Sequence, residues 1–510
     1  MSRRENLKIL LLSVCLFKHN TYSAGFSLAA ACLKSYADKM LCGKVSIVNR
    51  NYFGECEKEI LELISSEKPD LIGFPCYIWN VEMVKSLCLI IKRTYPDVKI
   101  ILGGPEATGR RLAFLKETNA DFLISGEGED SFVRLLQALI EHRNPERNIG
   151  IIMPDSSDEE SEKARSKMLP LDLLPFPYTV EAMGMKPYPE MIIPFETMRG
   201  CPNNCAYCSW SERGPESVRY YSNERVLQNL NWIMENSPRS RIFVCDSDFF
   251  AKRERALFFA PYFRKAAESG HTFTFQTNLR CWDDEMMKAF SHSAYEFDIG
   301  INGLALRTQK AFSREFSIEG ITKKITSMKK NMPEASVYLE IMYASPGEKL
   351  SDFCKAIDWA FAQSHNALFF HTQIFHGTRL HKNAGQLKIK CSQKPPYYVF
   401  STADCSEEMI RLEDLMVIAL STWKENPGIK GKFNKTVAEA YGGSYSHAFF
   451  DMWHKMPNSS KSVLNAVCER LLKGPFCLIH YVIDVSHEYP MLNDTVCSQC
   501  AEAVSSIYPF

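Results

Sequence analysis

Twice along this chain, short and continuously apolar runs alternate with amphipathic stretches of helical period. That rhythm restricts the fold more than any other feature. In the first series, apolar runs at 8–14, 45–48, 71–74, 99–102 and 122–125 are separated by helical patterns at 24–39, 57–66, 81–93 and 130–143. Strands apolar on both faces need cover on both, so the pattern predicts a doubly wound, Rossmann-like parallel sheet over 1–145. Loops at the carboxyl ends of such strands form the ligand crevice. Here they read Gly73-Phe74-Pro75-Cys76-Tyr77-Ile78-Trp79-Asn80, Gly103-Gly104-Pro105-Glu106 and Gly126-Glu127-Gly128-Glu129. Glycine after a strand lets backbone approach a large planar or phosphorylated ligand. One such loop serves a strand-to-helix turn equally well; three in chain order favour a ligand cradle.

The second series starts at Met191-Ile192-Ile193-Pro194-Phe195-Glu196 and continues with apolar runs at 241–245, 272–276, 297–301, 337–342 and 367–375. Helical patterns such as 224–235 and 256–268 fall between them. This predicts a partial, TIM-like β/α barrel over 191–395, with chemistry at the carboxyl ends of its strands. Between the two series, Pro154-Asp155-Ser156-Ser157-Asp158-Glu159-Glu160-Ser161 is acidic and lacks apolar period, so 146–190 reads as a solvated linker. The last part, 396–510, is mixed and mostly helical, with aromatic clusters such as Met452-Trp453-His454.

Directly after the first strand of the second series comes Arg199-Gly200-Cys201-Pro202-Asn203-Asn204-Cys205-Ala206-Tyr207-Cys208. Three thiols on one loop supply all but one of the ligands that a four-iron, four-sulfur cluster needs, leaving one iron open to a non-protein ligand. An open position can hold and activate a substrate, as in catalytic zinc sites. A zinc knuckle is the competing reading, and it lacks a fourth ligand close by. Cys497-Ser498-Gln499-Cys500, near the end, is a bare CxxC with no second pair.

The spacing of Cys201, Cys205 and Cys208, with Tyr207 in the aromatic slot, resembles the radical S-adenosylmethionine (SAM) superfamily. With the first domain it resembles the cobalamin-binding radical SAM family, in the class of cobalamin-dependent methyltransferases, over about 8–415. Family-like segments continue in order at Phe297-Asp298-Ile299-Gly300-Ile301-Asn302, Ser345-Pro346-Gly347-Glu348, Gly377-Thr378, Pro395-Pro396-Tyr397-Tyr398 and Ser401-Thr402. The resemblance implies three cofactors: a 4Fe-4S cluster on the three cysteines, SAM and cobalamin. By position, the cobalamin-contacting candidates are Ser13, Tyr77, Trp79, Asn80, Gly103, Gly104, Glu106, Gly126, Glu127 and Gly128. The SAM candidates are Tyr207, Asp246 for the ammonium, Gln276 and Asn278 for the ribose, and Arg314 for the carboxylate. Asp246 stands in Cys245-Asp246-Ser247-Asp248, where the superfamily often has Gly-Gly-Glu. Classical corrinoid modules ligate cobalt through Asp-x-His-x-x-Gly, but none of the 12 histidines here has aspartate two residues before it. The expected cobalt therefore lacks a histidine lower ligand; His19, near the first loop, is the one histidine placed to approach it.

The implied activity is C-methylation of an unactivated carbon through a 5′-deoxyadenosyl radical and methylcobalamin, on a small-molecule or peptide precursor. An electron donor such as flavodoxin or ferredoxin would serve it, and 396–510 would cap the substrate. A two-electron variant, a rearrangement or cyclisation without methyl transfer, an RNA-modifying radical SAM enzyme and a non-catalytic corrinoid sensor are the alternatives. Lys+Arg and Asp+Glu are 60 each, and a zero net charge disfavours a nucleic-acid binder. The apolar run at 8–14 is short for a signal peptide and no stretch suits a bilayer, so the expectation is a cytoplasmic protein with no membrane partner, its 18 cysteines reduced.

Overall fold

A computed structural model describes residues 6–468, apart from 16–24, 55, 148, 212–213, 365–366, 426–429 and 456–457, 459–460, 463–464 and 467. The first sheet comprises β1 (Leu7–Cys15), β2 (Val45–Phe53), β3 (Leu71–Pro75), β4 (Lys99–Gly103), β5 (Phe122–Ile124) and β6 (Ile151–Ile152), in the order β2-β1-β3-β4-β5-β6. All pairings are parallel except β5–β6. The order reverses between β1 and β3, the crevice at which doubly wound sheets take their ligands. Helices α1 (Leu28–Met40), α2 (Glu57–Glu67), α3 (Val81–Thr94), α4 (Pro105–Thr118) and α5 (Glu129–Ile140) cover both faces. Alternate residues of the central strands are divided between two cores: Ile9 and Leu11 with α1 and α5, Leu10 and Leu12 with α2, α3 and α4.

Three departures from the sequence reading have local causes. β2 runs five residues further than its apolar run, because Asn49 and Asn51 donate their side-chain amides to Ala182 O and Met183 O, each at 2.8 Å. α4 carries no clear apolar period and is broken at Arg111, whose φ is 53°. The acidic segment is structured rather than a free linker. β6 extends the first sheet, Ser157 and Glu160 form a capping box, and Arg111 reaches Ser161 O at 2.5 Å and Ala164 O at 3.3 Å.

The second sheet contains β7 (Ile192–Phe195), β10 (Arg241–Val244), β11 (Thr272–Thr277), β12 (Tyr295–Asn302), β13 (Ser336–Tyr343) and β14 (Ala367–His371). Its order is β14-β13-β12-β11-β10-β7, all parallel: an open, partial barrel. A two-stranded ribbon, β8 (Met198–Arg199) with β9 (Arg219–Tyr220), flanks the cysteine loop. Phe273, Phe275, Phe297, Ile299 and Ile301 are buried under the outer helices, where Phe275 stacks between Phe273 at 5.9 Å and Phe297 at 5.6 Å. Each such pair adds about 0.5–1.5 kcal/mol beyond its buried area. The opposite parity of β11, β12 and β13 presents Thr274, Gln276, Glu296, Asp298, Gly300 and Glu340 to the other face, the barrel lumen. Beyond the barrel lie a short hairpin, β15 (Lys390–Cys391) with β16 (Val399–Ser401), and helices Glu407–Glu425, Lys430–Ala440 and Tyr445–Lys455. Among the described residues no helix is long and apolar enough to cross a membrane.

Candidate cofactor and active site

The cysteine loop is stitched at every step. Gly200 enters it at φ +89°, where a β-carbon would lie 2.6 Å from Ser217 O, so only glycine fits there. Ala206 donates from its N–H to Phe312 O at 2.9 Å and accepts at its own oxygen from Leu380 N at 2.8 Å. The Ser211 hydroxyl reaches the Cys205 and Cys208 carbonyls at 2.6 and 2.8 Å. Cys201 and Cys205 are buried, and Cys208 is half-buried. Burial, then the charges of Cys205 and Cys201, push the Cys208 thiol up to about 11. No three His, Cys, Asp or Glu side chains among the described residues converge closely enough for a single ion.

Arg314 lies against this loop. Its Nη1 is 3.6 Å from Cys205 Sγ and 3.4 Å from the Tyr207 hydroxyl, and Nη2 donates to Gly300 O at 2.6 Å. Tyr207 is held edge-on to Phe312 at 4.9 Å. Below them the lumen is acidic. Desolvation raises both Asp298 and Glu340; the charges of Glu340 and Glu296 raise Asp298 further, while Arg314 draws Glu340 back down. Asn302, at φ 72° after a bulge in β12, has a buried Oδ1 without a hydrogen-bond partner. An unpaired acceptor beside carboxylates fits the cationic end of SAM.

Asp246 is redirected by the structure. It is buried and accepts from Thr197 N at 2.8 Å, Met198 N at 3.1 Å and the Thr197 hydroxyl, with burial raising it to about 7. Those bonds occupy the carboxylate in fixing the turn that launches the cysteine loop. Asn278 bonds Asp248 and accepts from Arg280 N at 2.9 Å, whereas Gln276 is exposed on the lumen parity. Burial lifts Asp248 to about 6.

In the first domain, Ser13 Oγ, on β1, is buried with no partner, and the space around a β-carbon at Gly103 is open. Gly104 has φ +93° and its β-carbon would meet Cys76 O at 2.6 Å, so this loop is closed to side chains on one side and free on the other. Tyr77 and Trp79 stack at 4.4 Å, 4° from parallel. Gly126 donates its N–H to Thr108 Oγ1 at 3.1 Å, and Gly128 packs against Leu33. An unpaired hydroxyl, an open glycine edge and an aromatic stack fit a corrinoid.

Three candidates are otherwise engaged. Asn80 is buried, accepting from Tyr77 N at 2.8 Å and donating to Val14 O and Pro75 O at 3.0 and 2.9 Å, which clamps β1 to β3. Glu106 is buried and accepts from the Tyr397 hydroxyl at 2.7 Å; desolvation raises it. Glu127 pairs with Arg199 at 3.1 Å and with Arg219. Arg199 also meets Glu129 at 2.8 Å and Glu196 at 3.0 Å, so one guanidinium, directly before the cysteine loop, ties it to the Gly126–Glu129 loop. Tyr77 is pushed up to about 12, chiefly by burial. The Arg199 and Arg219 pairs with Glu127 and Glu129 bring the Gly126–Glu129 loop and the cysteine loop side by side.

Sequence reasoning placed Arg199, Glu129, Asp298 and Asn302 inside its motifs without giving them a role, and passed over Glu340. The legible signal was three acids, Glu296, Asp298 and Glu340, on one parity of otherwise apolar strands. His19, Cys497 and Cys500 lie outside the described residues.

Comparison with known proteins agrees with this division. The B12 binding domain family matches residues 17–136, and the Radical SAM superfamily matches residues 195–360. The chain is 27% identical over 189 residues to 2-(S-pantetheinyl)-carbapenam-3-carboxylate methyltransferase of Streptantibioticus cattleyicolor, covering 36% of this chain and 28% of that protein. It is likewise 27% identical over 194 residues to the cobalamin-dependent radical SAM methyltransferase TokK of Streptomyces tokunonensis, with the same coverage. The match thus spans less than a third of these curated relatives. The cobalamin-dependent SAM radical enzyme OxsB, solved with aqua-cobalamin and SAM bound, superposes with a TM-score of 0.66 at 12% identity, over 99% of this chain and 84% of that one. That likeness carries the fold. With a B12-binding sheet followed by a radical SAM barrel, the chain belongs to the cobalamin-binding radical SAM family.

Proposed function

We propose that this protein is a cobalamin-dependent radical SAM C-methyltransferase, acting on an unactivated carbon of a small-molecule or peptide natural-product precursor. The observation that carries the reading is the juxtaposition of the two loops: Arg199 binds the Gly126–Glu129 loop to the cysteine loop, and Arg219 adds a second pair to Glu127. A substrate between the two crevices is within near-attack reach of both cofactors. When bound, the cluster supplies the electron that cleaves SAM, and the corrinoid supplies the methyl group. The chain's own residues bind, orient and exclude water. Cys201, Cys205 and Cys208 hold the cluster; Arg314 and Tyr207 brace it; Asn302 and Glu340 face the cationic end of SAM. Tyr77 and Trp79 would wall the corrinoid side, and the Tyr397 hydroxyl ties its loop to the first domain through Glu106. Among the relatives that match in sequence methyltransferases outnumber cyclases, which supports this outcome over cyclisation or rearrangement. An external donor of the flavodoxin or ferredoxin kind and a reducing cytoplasm complete the reading; the 15 described cysteines are all free thiols.

The test is product stoichiometry after anaerobic reconstitution with candidate substrates. Each turnover yields 5′-deoxyadenosine and S-adenosylhomocysteine in matched amounts with methylated product, and deuterium at the attacked carbon appears in 5′-deoxyadenosine. Deoxyadenosine without S-adenosylhomocysteine would point to rearrangement or cyclisation. Methylated product without deoxyadenosine would point to two-electron transfer.

A second expectation concerns cobalt. With no Asp-x-His-x-x-Gly motif, EPR of the bound cob(II)alamin shows no axial nitrogen superhyperfine splitting. Splitting would instead mean ligation by a histidine such as His19 or by the nucleotide tail.

A further inference from the structure

We propose that Arg314 sets the reduction potential of the cluster by donating to Cys205, with Glu340 as the opposing charge that limits its effect. The inference rests on the assignment of Cys201, Cys205 and Cys208 as the cluster ligands. Arg314 is not an arginine that happens to swing near a thiol. Its turn is bonded to the cysteine loop itself, through Ala206 N to Phe312 O at 2.9 Å and through Phe312 against the Tyr207 ring. Ser313 takes φ 53° to make that turn, and Arg314 N is tied back to Gln309 O at 2.8 Å. The guanidinium is then fixed at both ends, Nη2 on Gly300 O at 2.6 Å and Nη1 on Cys205 Sγ and the Tyr207 hydroxyl at 3.6 and 3.4 Å. Gly300 makes room for the arrangement: a β-carbon there would stand 3.4 Å from Arg314 Nη2 and 3.7 Å from Glu340 Oε2. The positive and negative groups therefore meet at the one bare position of the strand.

The electrostatics follow. One-electron reduction of the cluster adds a negative charge to an already anionic cysteine-ligated group. A hydrogen bond and a positive charge at a ligand sulfur favour the reduced form and raise the potential; a nearby carboxylate does the reverse. In this role the two residues act through the cluster, which makes them positioning residues for its reduction, and the titration is run without SAM so that the place of Glu340 beside SAM does not enter. They have opposite signs, which separates this role from general damage to the site.

The experiment is a dithionite titration of the reconstituted protein, without SAM and at mildly alkaline pH, followed by cluster EPR. Arg314→Gln shifts the midpoint potential downward relative to wild type, Arg314→Lys shifts it less, and Glu340→Gln shifts it upward. A wild-type midpoint in Arg314→Gln, with only weaker SAM binding, would overturn the proposal in favour of a carboxylate clamp. So would a Glu340→Gln shift that is absent or downward, and this arm decides the matter if Arg314→Gln assembles no cluster. Failure of the underlying assignment looks different: the wild-type protein itself would then show no cluster signal that depends on the three cysteines.

Discussion

Replacing Cys201, Cys205 and Cys208 together with alanine abolishes the cluster and all SAM-derived products, while cobalamin binding stays at the wild-type level. The loss is complete because the three thiols come from one loop whose backbone is fixed from four sides: by Phe312, Leu380, Ser211 and Ser247. Cobalamin binding survives because one face of the first sheet has a core of its own, in which Leu10, Leu12, Ile72, Phe74 and Leu102 pack with α2, α3 and α4 in a cluster that contains no barrel residue. Truncation of the thiols leaves Arg199, the charge that joins the loops, in place. Iron and sulfide analysis with Mössbauer spectroscopy reads the first half of the prediction, and corrinoid absorbance after gel filtration reads the second. A triple variant retaining its full iron would move the cluster to other cysteines.

What the sequence made legible was whatever repeats. Apolar strand runs and amphipathic helices disclosed both sheets, since strand period and burial are written residue by residue. Polar segments that become ordered by long-range partners were not legible. The far end of β2 depends on Ala182 and Met183, more than a hundred residues away in sequence, and the acidic segment becomes structured because Arg111 docks it. The site divides in the same way. The cysteine spacing is local and was read directly. Arg314 was found, but its contacts with Cys205, Tyr207 and Gly300 were not, because a guanidinium on a turn does not announce which protein groups it faces. Asp246 and Glu127 were assigned to ligands on the strength of their loops, whereas each satisfies protein donors, Asp246 at Thr197 and Met198, Glu127 at Arg199 and Arg219. A carboxylate near a cofactor crevice is often part of the frame, since buried charge must be paired before it can do anything else.

Arg199→Met is the substitution expected to loosen the frame most. The arginine is mostly buried and faces three carboxylates, Glu127, Glu129 and Glu196, at 3.1, 2.8 and 3.0 Å. Methionine restores much of the volume but none of the charge, so Glu129 and Glu196 lose the guanidinium they face and Glu127 keeps only Arg219. Removing one partner of a buried ion pair costs about 3–5 kcal/mol. Burial already raises Glu196, and Arg199 is the first group that draws it back, so its carboxyl rises further in the variant. A carboxyl whose folded value lies above its unfolded one contributes stability that is full at low pH and lost as pH climbs through the folded value. The variant is therefore expected to lose most ground at neutral pH and to recover part of it on mild acidification. Arg199→Lys, keeping a charge but only one point of contact, should fall between the two. Chemical denaturation of the three proteins at several pH values measures this, and a methionine variant equal to wild type at neutral pH would show that Arg219 alone holds the Gly126–Glu129 loop to the barrel.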